Sequence, residues 1–188
     1  MKKAIFLDRD GVINEDNDCL IYKKEQVRIL PNVKEALKQF KENGYFLVVI
    51  SNQPAIARGI ITEKNVTEIN RYINVKLDNI IDKFYFCPHH PNADLLEYRK
   101  NCICRKPSPG LILQAAKELN IDLKKSWMIG DRISDIQAGK LAGCKTILIE
   151  SENNKKIIES GVIIDTNIKP DKKVNNLMDA SNLIRMLK

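Results

Sequence analysis

Short apolar runs that stop abruptly at polar residues constrain this chain more than any other feature. "AIFL" (4–7) stops at Asp8, "YFLVVI" (45–50) at Ser51 and "WMIG" (127–130) at Asp131. A strand with one face in water alternates apolar and polar residues, whereas an unbroken run belongs to a strand covered on both faces. Helical spacing fills the intervals. "PNVKEALKQFKENG" (31–44) starts at Pro31 and Asn32, lines up Val33, Leu37 and Phe40 on one face and ends at Gly44. A helix is expected from about Thr62 to Ile80, then a strand "FYFC" (84–87) and an irregular stretch from Cys87 to Pro109. Helix "GLILQAAKELN" (110–120), strand "WMIG", helix "SDIQAGKLAG" (134–143) and strand "TILIE" (146–150) follow, and a strand "GVIID" (161–165) with a C-terminal helix closes the chain.

Alternation of this kind predicts an α/β, Rossmann-like, doubly wound parallel sheet, with working residues just beyond the carboxyl ends of the strands. At 188 residues, 44% hydrophobic and 29% charged, the chain suits one well-buried core, and a single domain over 1–188 is expected. The amino-terminal apolar run is too short for a signal peptide, and no stretch approaches the ~18 apolar residues of a membrane span. A soluble, cytoplasmic protein with reduced cysteines and no membrane association is the expectation. The formal charge of +7 comes from lysines interspersed with acidic residues, without a basic stripe carrying stacking aromatics. That argues against a nucleic-acid partner.

The strand-end rule turns the sequence into a map. Asp8 and Asp10 follow the first strand, Ser51 follows the second, and Asp131 and Asp135 follow "WMIG"; Lys106, just before a helix, can reach the same edge. Carboxylates held together repel one another unless a cation sits among them, and carboxylate oxygens with retained waters suit Mg²⁺. Such a pair with a lysine and a serine makes a phosphate site, and phosphoryl transfer is the reaction it suggests. Asp135 could instead cap the following helix.

A second constellation is Cys87, His89, Cys102 and Cys104, in "CPHHP" and "NCICRKP". Four donors satisfy a closed tetrahedral zinc site, which leaves no position for water and makes the metal structural. A disulfide pair and buried free thiols are the competing readings; the first does not suit a reducing compartment and the second leaves His89 unexplained. His90 is a neighbouring candidate for a solvent or substrate contact. Cys19 and Cys144 read as ordinary small residues. A metal clip ending at Cys104 would fix the backbone of Arg105 and Lys106 at the mouth of the site.

In this order, "DRDGVIN", "SNQ", "RKP" and "GDRISD" resemble the four motifs of the haloacid dehalogenase superfamily of phosphatases. The resemblance implies that Asp8 is the nucleophile that becomes an aspartyl-phosphate. Asp10 would protonate the leaving alkoxide and later activate water. Ser51 and Lys106 would bind the transferring phosphoryl group, and Asp131, Asp8 and the backbone carbonyl of Asp10 would hold Mg²⁺. With its zinc loop (about 87–104), the chain is similar to one narrow branch, the D-glycero-D-manno-heptose 1,7-bisphosphate 7-phosphatases, with histidinol-phosphate phosphatases as relatives. "NQPAIARGIIT" and the long "CPHHPNADLLEYRKNCICRKP" carry that likeness.

Pro54 and Ala55 replace the branch's usual Ser-Gly, and "NEDNDCLIYKKEQV" lacks its Gly-Tyr. About twenty residues separate the first motif from the helix at Val33, which leaves no room for a large cap domain. Substrate selection then falls to residues 14–22, 54–60 and the zinc loop. The resemblance implies substrate contacts from Arg105 and Arg132, with Asn52, Gln53, Arg58 and Asp16 as further candidates. Counting cations predicts that Arg105, Arg132 and Arg58 would lack an anionic partner unless the substrate carried a second phosphate, which favours a sugar bisphosphate over histidinol phosphate. The expected partner is therefore a small phosphorylated sugar acted on by a monomer, in nucleotide-activated heptose biosynthesis.

Overall fold

The computed structural model describes residues 1–16, 21–150, 165 and 167–187. Six strands form one parallel sheet: β1 (Lys3–Leu7), β2 (Tyr45–Asn52), β3 (Lys83–Cys87), β4 (Trp127–Gly130), β5 (Lys145–Ile149) and β6 (Lys172–Val174). Their spatial order is β3-β2-β1-β4-β5-β6. The order reverses between β1 and β4, so a crevice opens beyond the carboxyl ends of those two strands. The doubly wound fold expected from the apolar runs is the one observed.

Both faces of the sheet are covered, which explains why the strands read as continuous apolar runs. On β1, Ile5 and Leu7 face one way and meet α1 (Val33–Glu42), α3 (Glu63–Lys76) and α6 (Leu177–Met186). Ala4 and Phe6 face the other way, toward α4 (Gly110–Leu119) and α5 (Ile133–Ala142). Side chains of a strand point alternately to its two sides, so both sets must be apolar. A smaller cluster joins α2 (Pro54–Ala57) to Val66 of α3.

The structure corrects several boundaries. The helix expected to run to Ile80 stops at Lys76, because Asp78 and Asn79 adopt left-handed conformations at φ 56° and 57° and the Asn74 side chain bonds both backbone groups of Ile81. Thr62 starts it as expected, its hydroxyl accepting from the Asn65 amide. The short α2 and the edge strand β6 have no counterpart in the periodicity, being four and three residues long. The strand expected at "GVIID" falls almost wholly outside the described residues, as does Cys19. Among the described residues no helix is long and apolar enough to cross a membrane.

Candidate active site

Strands β1, β2 and β4 end side by side, and the polar residues that stop their apolar runs meet there. Asp8 is 7% exposed, Asp131 4%, Lys106 2%, and Ser51 and Asp135 not at all. The Lys106 ammonium lies 2.9 Å from Asp8 Oδ1 and 2.6 Å from Asp135 Oδ1, and donates to the Ile50 carbonyl at 2.8 Å. Carboxylate oxygens of Asp8, Asp131 and Asp135 all lie within 4.8 Å of one another. Two glycines make this crowding possible. A Cβ on Gly11, whose φ is +85°, would sit 2.3 Å from Asp131 Oδ2, and one on Gly130 would sit 2.2 Å from the Cβ of Asp135.

Three carboxylates against one ammonium leave the cluster negative, and its titration behaviour reflects that. Burial pushes the Asp8 carboxyl up to about 6, opposed by Lys106 and helped by Asp135 and Asp10. Burial and then the charges of Asp135 and Asp8 push Asp131 up to about 8. Lys106 is held above the usual lysine range because Asp135 and Asp8 outweigh its burial. Asp131 Oδ1 and the Ser51 hydroxyl are buried with no hydrogen-bond partner. A buried lone pair and a surplus of negative charge fit a hard divalent cation, and Asp8, Asp131 and Asp135 are the carboxylates that could hold it. Asp135 pairs by charge with the Lys106 ammonium through Oδ1, which has no hydrogen-bond partner, and accepts from the Arg132 amide at 3.0 Å through Oδ2, so it braces the lysine and starts α5 at once.

Asp10 points elsewhere. Its carboxylate lies outside the metal-capable trio and receives Arg9, Asn14 and Gln53. Burial would raise its pKa, but the Arg9 guanidinium and these hydrogen bonds hold it below the usual carboxylate range.

The candidate substrate residues divide into engaged and open ones. Asn52 donates to the Lys106 carbonyl and accepts from the Lys106 amide, both at 3.0 Å, which fixes the lysine's backbone. Gln53 is spent between Arg9 and Asp10. Arg132 pairs with Asp16 at 2.7 Å, which corrects the cation count: this guanidinium has an anionic partner before any substrate arrives. Burial would pull Arg132 down, yet Asp16, Asp8 and Asp131 keep it above its ordinary value. Arg105 is buried and donates to the His89 carbonyl at 3.4 Å, tying it to the cysteine loop. Arg58 is exposed at the end of α2.

Beyond β3, Cys87, His89, Cys102 and Cys104 bring their four donor atoms within 4.8 Å of one another. Cys104 Sγ lies 2.9 Å from Cys87 Sγ, 2.8 Å from Cys102 Sγ and 3.2 Å from His89 Nδ1. Hydrogen bonding from Cys87, Cys102 and His89 outweighs burial and brings the Cys104 thiol down to about 5, thiolate character that a soft metal would use. Three sulfurs and one imidazole nitrogen fit tetrahedral zinc with no position left over. His90 is not among the four; its Nδ1 accepts from the Asn92 amide.

Comparison with known proteins places this geometry. A HAD-hydrolase-like family model matches residues 103–180. The chain is 43% identical over 165 residues to D-glycero-beta-D-manno-heptose-1,7-bisphosphate 7-phosphatase of Pasteurella multocida (strain Pm70), covering 86% of this chain and 88% of that protein. It belongs to the heptose bisphosphate phosphatase family of the haloacid dehalogenase superfamily. The same-named protein of Haemophilus ducreyi (strain 35000HP / ATCC 700724) is 37% identical over 184 residues, covering 95% of this chain and 96% of that protein. The D,D-heptose 1,7-bisphosphate phosphatase of B. bronchiseptica, solved with magnesium and phosphate, superposes with a TM-score of 0.82 at 26% identity, covering 99% of each chain.

Residues inside the first motif and on α3 were not singled out from the sequence: Arg9 and Asn70. A signal for Asn70 existed. It shares the buried side of α3 with Val66, Ile69 and Ile73, where an amide needs a partner.

Proposed function

We propose that this chain is a Mg²⁺-dependent phosphatase that removes the 7-phosphate of D-glycero-D-manno-heptose 1,7-bisphosphate through an aspartyl-phosphate on Asp8, in nucleotide-activated heptose biosynthesis. The observation that carries this reading is the meeting of Asp8, Lys106, Asp131 and the unpartnered Ser51 hydroxyl at three neighbouring strand ends. The 43% identity to a phosphatase of that name supports the substrate.

In the first step an Asp8 carboxylate oxygen bonds to phosphorus as the phosphorus–O7 bond breaks. The electron pair stays on O7, which takes a proton from the Asp10 carboxyl. Asp10 is held ionised in the free site, so it takes that proton from solvent when the phosphate dianion is bound, and it returns one to solvent after the second step. In the second step Asp10 accepts a proton from water, whose oxygen attacks phosphorus; the bond to Asp8 breaks and inorganic phosphate leaves. Lys106 and Ser51 grip the phosphoryl oxygens, with Lys106 aligned by Asp135 and Asn52. Asp8, Asp131 and the Asp10 carbonyl would hold Mg²⁺, which would supply the charge neutralisation that lets one anion approach another. Cys87, His89, Cys102 and Cys104 would hold Zn²⁺, which would fix the loop that carries Arg105. Arg105, Arg58 and a guanidinium exchanged from Asp16 at Arg132 meet the phosphate that stays. Arg suits such a phosphate because it binds in a bidentate manner. The chain works as a cytoplasmic monomer on a small sugar, without nucleic acid.

Steady-state assay with Mg²⁺ of heptose 1,7-bisphosphate, histidinol phosphate and 4-nitrophenyl phosphate tests this. Expected is a kcat/KM for the bisphosphate at least about tenfold above that for histidinol phosphate, the ratio that ~1.4 kcal/mol of transition-state binding gives. Equality, or preference for histidinol phosphate, overturns the substrate. Salt-sensitive binding of DNA without phosphatase activity would overturn the reaction class.

A further inference from the structure

Between the two aspartates of the first motif stands Arg9, whose side chain has 1% exposure. A guanidinium cannot shed its charge, so burying it is costly unless every donor finds an acceptor. Here they do. Nε reaches Asp10 Oδ1 at 3.2 Å, Nη2 reaches Asp10 Oδ2 at 2.9 Å and Gln53 Oε1 at 3.1 Å, and Nη1 reaches Asn70 Oδ1 at 3.0 Å. Gln53 closes the ring by donating to Asp10 Oδ2 at 3.1 Å, and Asn14 donates to Asp10 Oδ1 at 2.8 Å. Asp10 itself keeps 24% side-chain exposure. The cation is sealed behind and the carboxylate is presented in front.

We propose that Arg9, seated on Asn70 and Gln53, is a positioning residue that fixes the plane of the Asp10 carboxyl for proton transfer to the leaving group. This rests on the reading of Asp10 as the acid. The χ2 torsion of aspartate is broad, so one hydrogen bond would leave the carboxyl free to rock, whereas a two-pronged guanidinium contact with a donor on each oxygen holds its plane. Proton transfer needs heavy atoms within about 2.6–3.2 Å, and small misplacements of a reacting group cost large factors in rate. The brace also joins three elements, since Arg9 follows β1, Gln53 follows β2 and Asn70 lies in α3. It accounts for a buried amide at a core position of α3, which packing alone would fill with an apolar residue.

A role through the acid differs from a scaffold role in its dependence on the leaving group. An alkoxide needs a proton as it departs and a 4-nitrophenolate does not. The quantity kcat/KM covers steps only up to phosphorylation of Asp8, so later activation of water by Asp10 does not enter. The experiment measures kcat/KM for heptose 1,7-bisphosphate and for 4-nitrophenyl phosphate in the Mg²⁺-loaded full chain, for the parent protein and the Asp10→Asn, Arg9→Met, Arg9→Lys and Gln53→Ala variants. Asp10→Asn is expected to lose at least about a hundredfold more on the alkyl ester than on the aryl ester, as loss of a general acid predicts. Arg9→Met should lose at least about tenfold more on the alkyl ester, and Arg9→Lys, which keeps the charge but not the fork, should remain selectively impaired. Gln53→Ala removes two hydrogen bonds of the brace and reads the same selectivity at about threefold if the Arg9→Met chain fails to fold. Equal losses on both esters for the Arg9 and Gln53 variants, beside a selective Asp10→Asn, would overturn the positioning role and leave the proposed function standing. Full rescue by Arg9→Lys would also overturn it. A non-selective Asp10→Asn would overturn the acid role itself, and the brace with it.

Discussion

Among the described residues two clusters gather metal-capable side chains, by opposite means. The carboxylate cluster draws Asp8 from the end of β1, Asp131 from the end of β4, Asp135 from α5 and Lys106 from the turn before α4, so the sheet itself sets its geometry. The thiol cluster draws all four ligands from residues 87–104, a stretch whose regular structure beyond Cys87 is one turn of 3₁₀ helix at Leu96–Tyr98. The first is a strained arrangement of like charges held in place by a fold that exists without them. The second is a set of ligands that stands in for a core where the chain is irregular. The lesson is that metal-capable side chains serve chemistry when the fold positions them, and serve the fold when they position the chain.

That contrast breaks first at Asp8. Asp8→Asn keeps the volume and removes the attacking charge, so turnover should fall by at least roughly 10⁴-fold while the melting temperature holds or rises, since one of three repelling carboxylates is gone. Kinetics paired with calorimetry checks both halves; near-parent turnover, with contaminating enzyme excluded, would remove Asp8 from the chemistry. Asp131→Asn should raise the Mg²⁺ concentration for half-activation by roughly 10- to 100-fold, with the zinc content unchanged, as a metal titration beside elemental analysis would show.

Cys102→Ser tests the other cluster. The zinc should be lost, and a stability loss of about 3 kcal/mol would lower the melting temperature by roughly 6–12 °C at this chain length. Activity should fall only as far as Arg105 and Lys106 loosen, and added Mg²⁺ should not restore it. Unchanged stability and a full zinc complement would show that the four donors do not form the site. The smallest effect is expected at Arg132→Ala, about three- to tenfold in KM for the bisphosphate with kcat nearly unchanged, because that guanidinium must leave Asp16 before it can bind a phosphate.

Much of the layout was legible because it depends on periodicity and on where apolar runs stop. Asp8, Ser51 and Asp131 could be placed at one sheet edge from those runs alone, and the spacing of Cys87, His89, Cys102 and Cys104 announced four converging donors. What could not be read was which polar side chains satisfy one another. No partner for Arg9 or Arg132 can be read from the sequence; in the structure Arg9 meets Gln53 and Asn70, Asn52 meets Lys106, and Arg132 meets Asp16, each distant in sequence. The carboxyl end of α3 departs from the apolar spacing for a local reason, since Asp78 and Asn79 in left-handed conformations end a helix that Leu77, Ile80 and Ile81 would continue. β6, three residues with two lysines, carries no strand signal and forms by pairing with β5.

The most direct test of the division between the two clusters is to find where the phosphoryl group goes. In a single turnover with enzyme in excess, Mg²⁺ present and the Asp10→Asn variant used to slow hydrolysis of the intermediate, the acid-quenched protein is digested and its peptides mapped by mass spectrometry. A phosphoryl group on Asp8, in the peptide containing "FLDRDGVIN", is the predicted result, with no modification between Cys87 and Cys104. Phosphate release without an adduct at any time point, or an adduct on another residue, would contradict it.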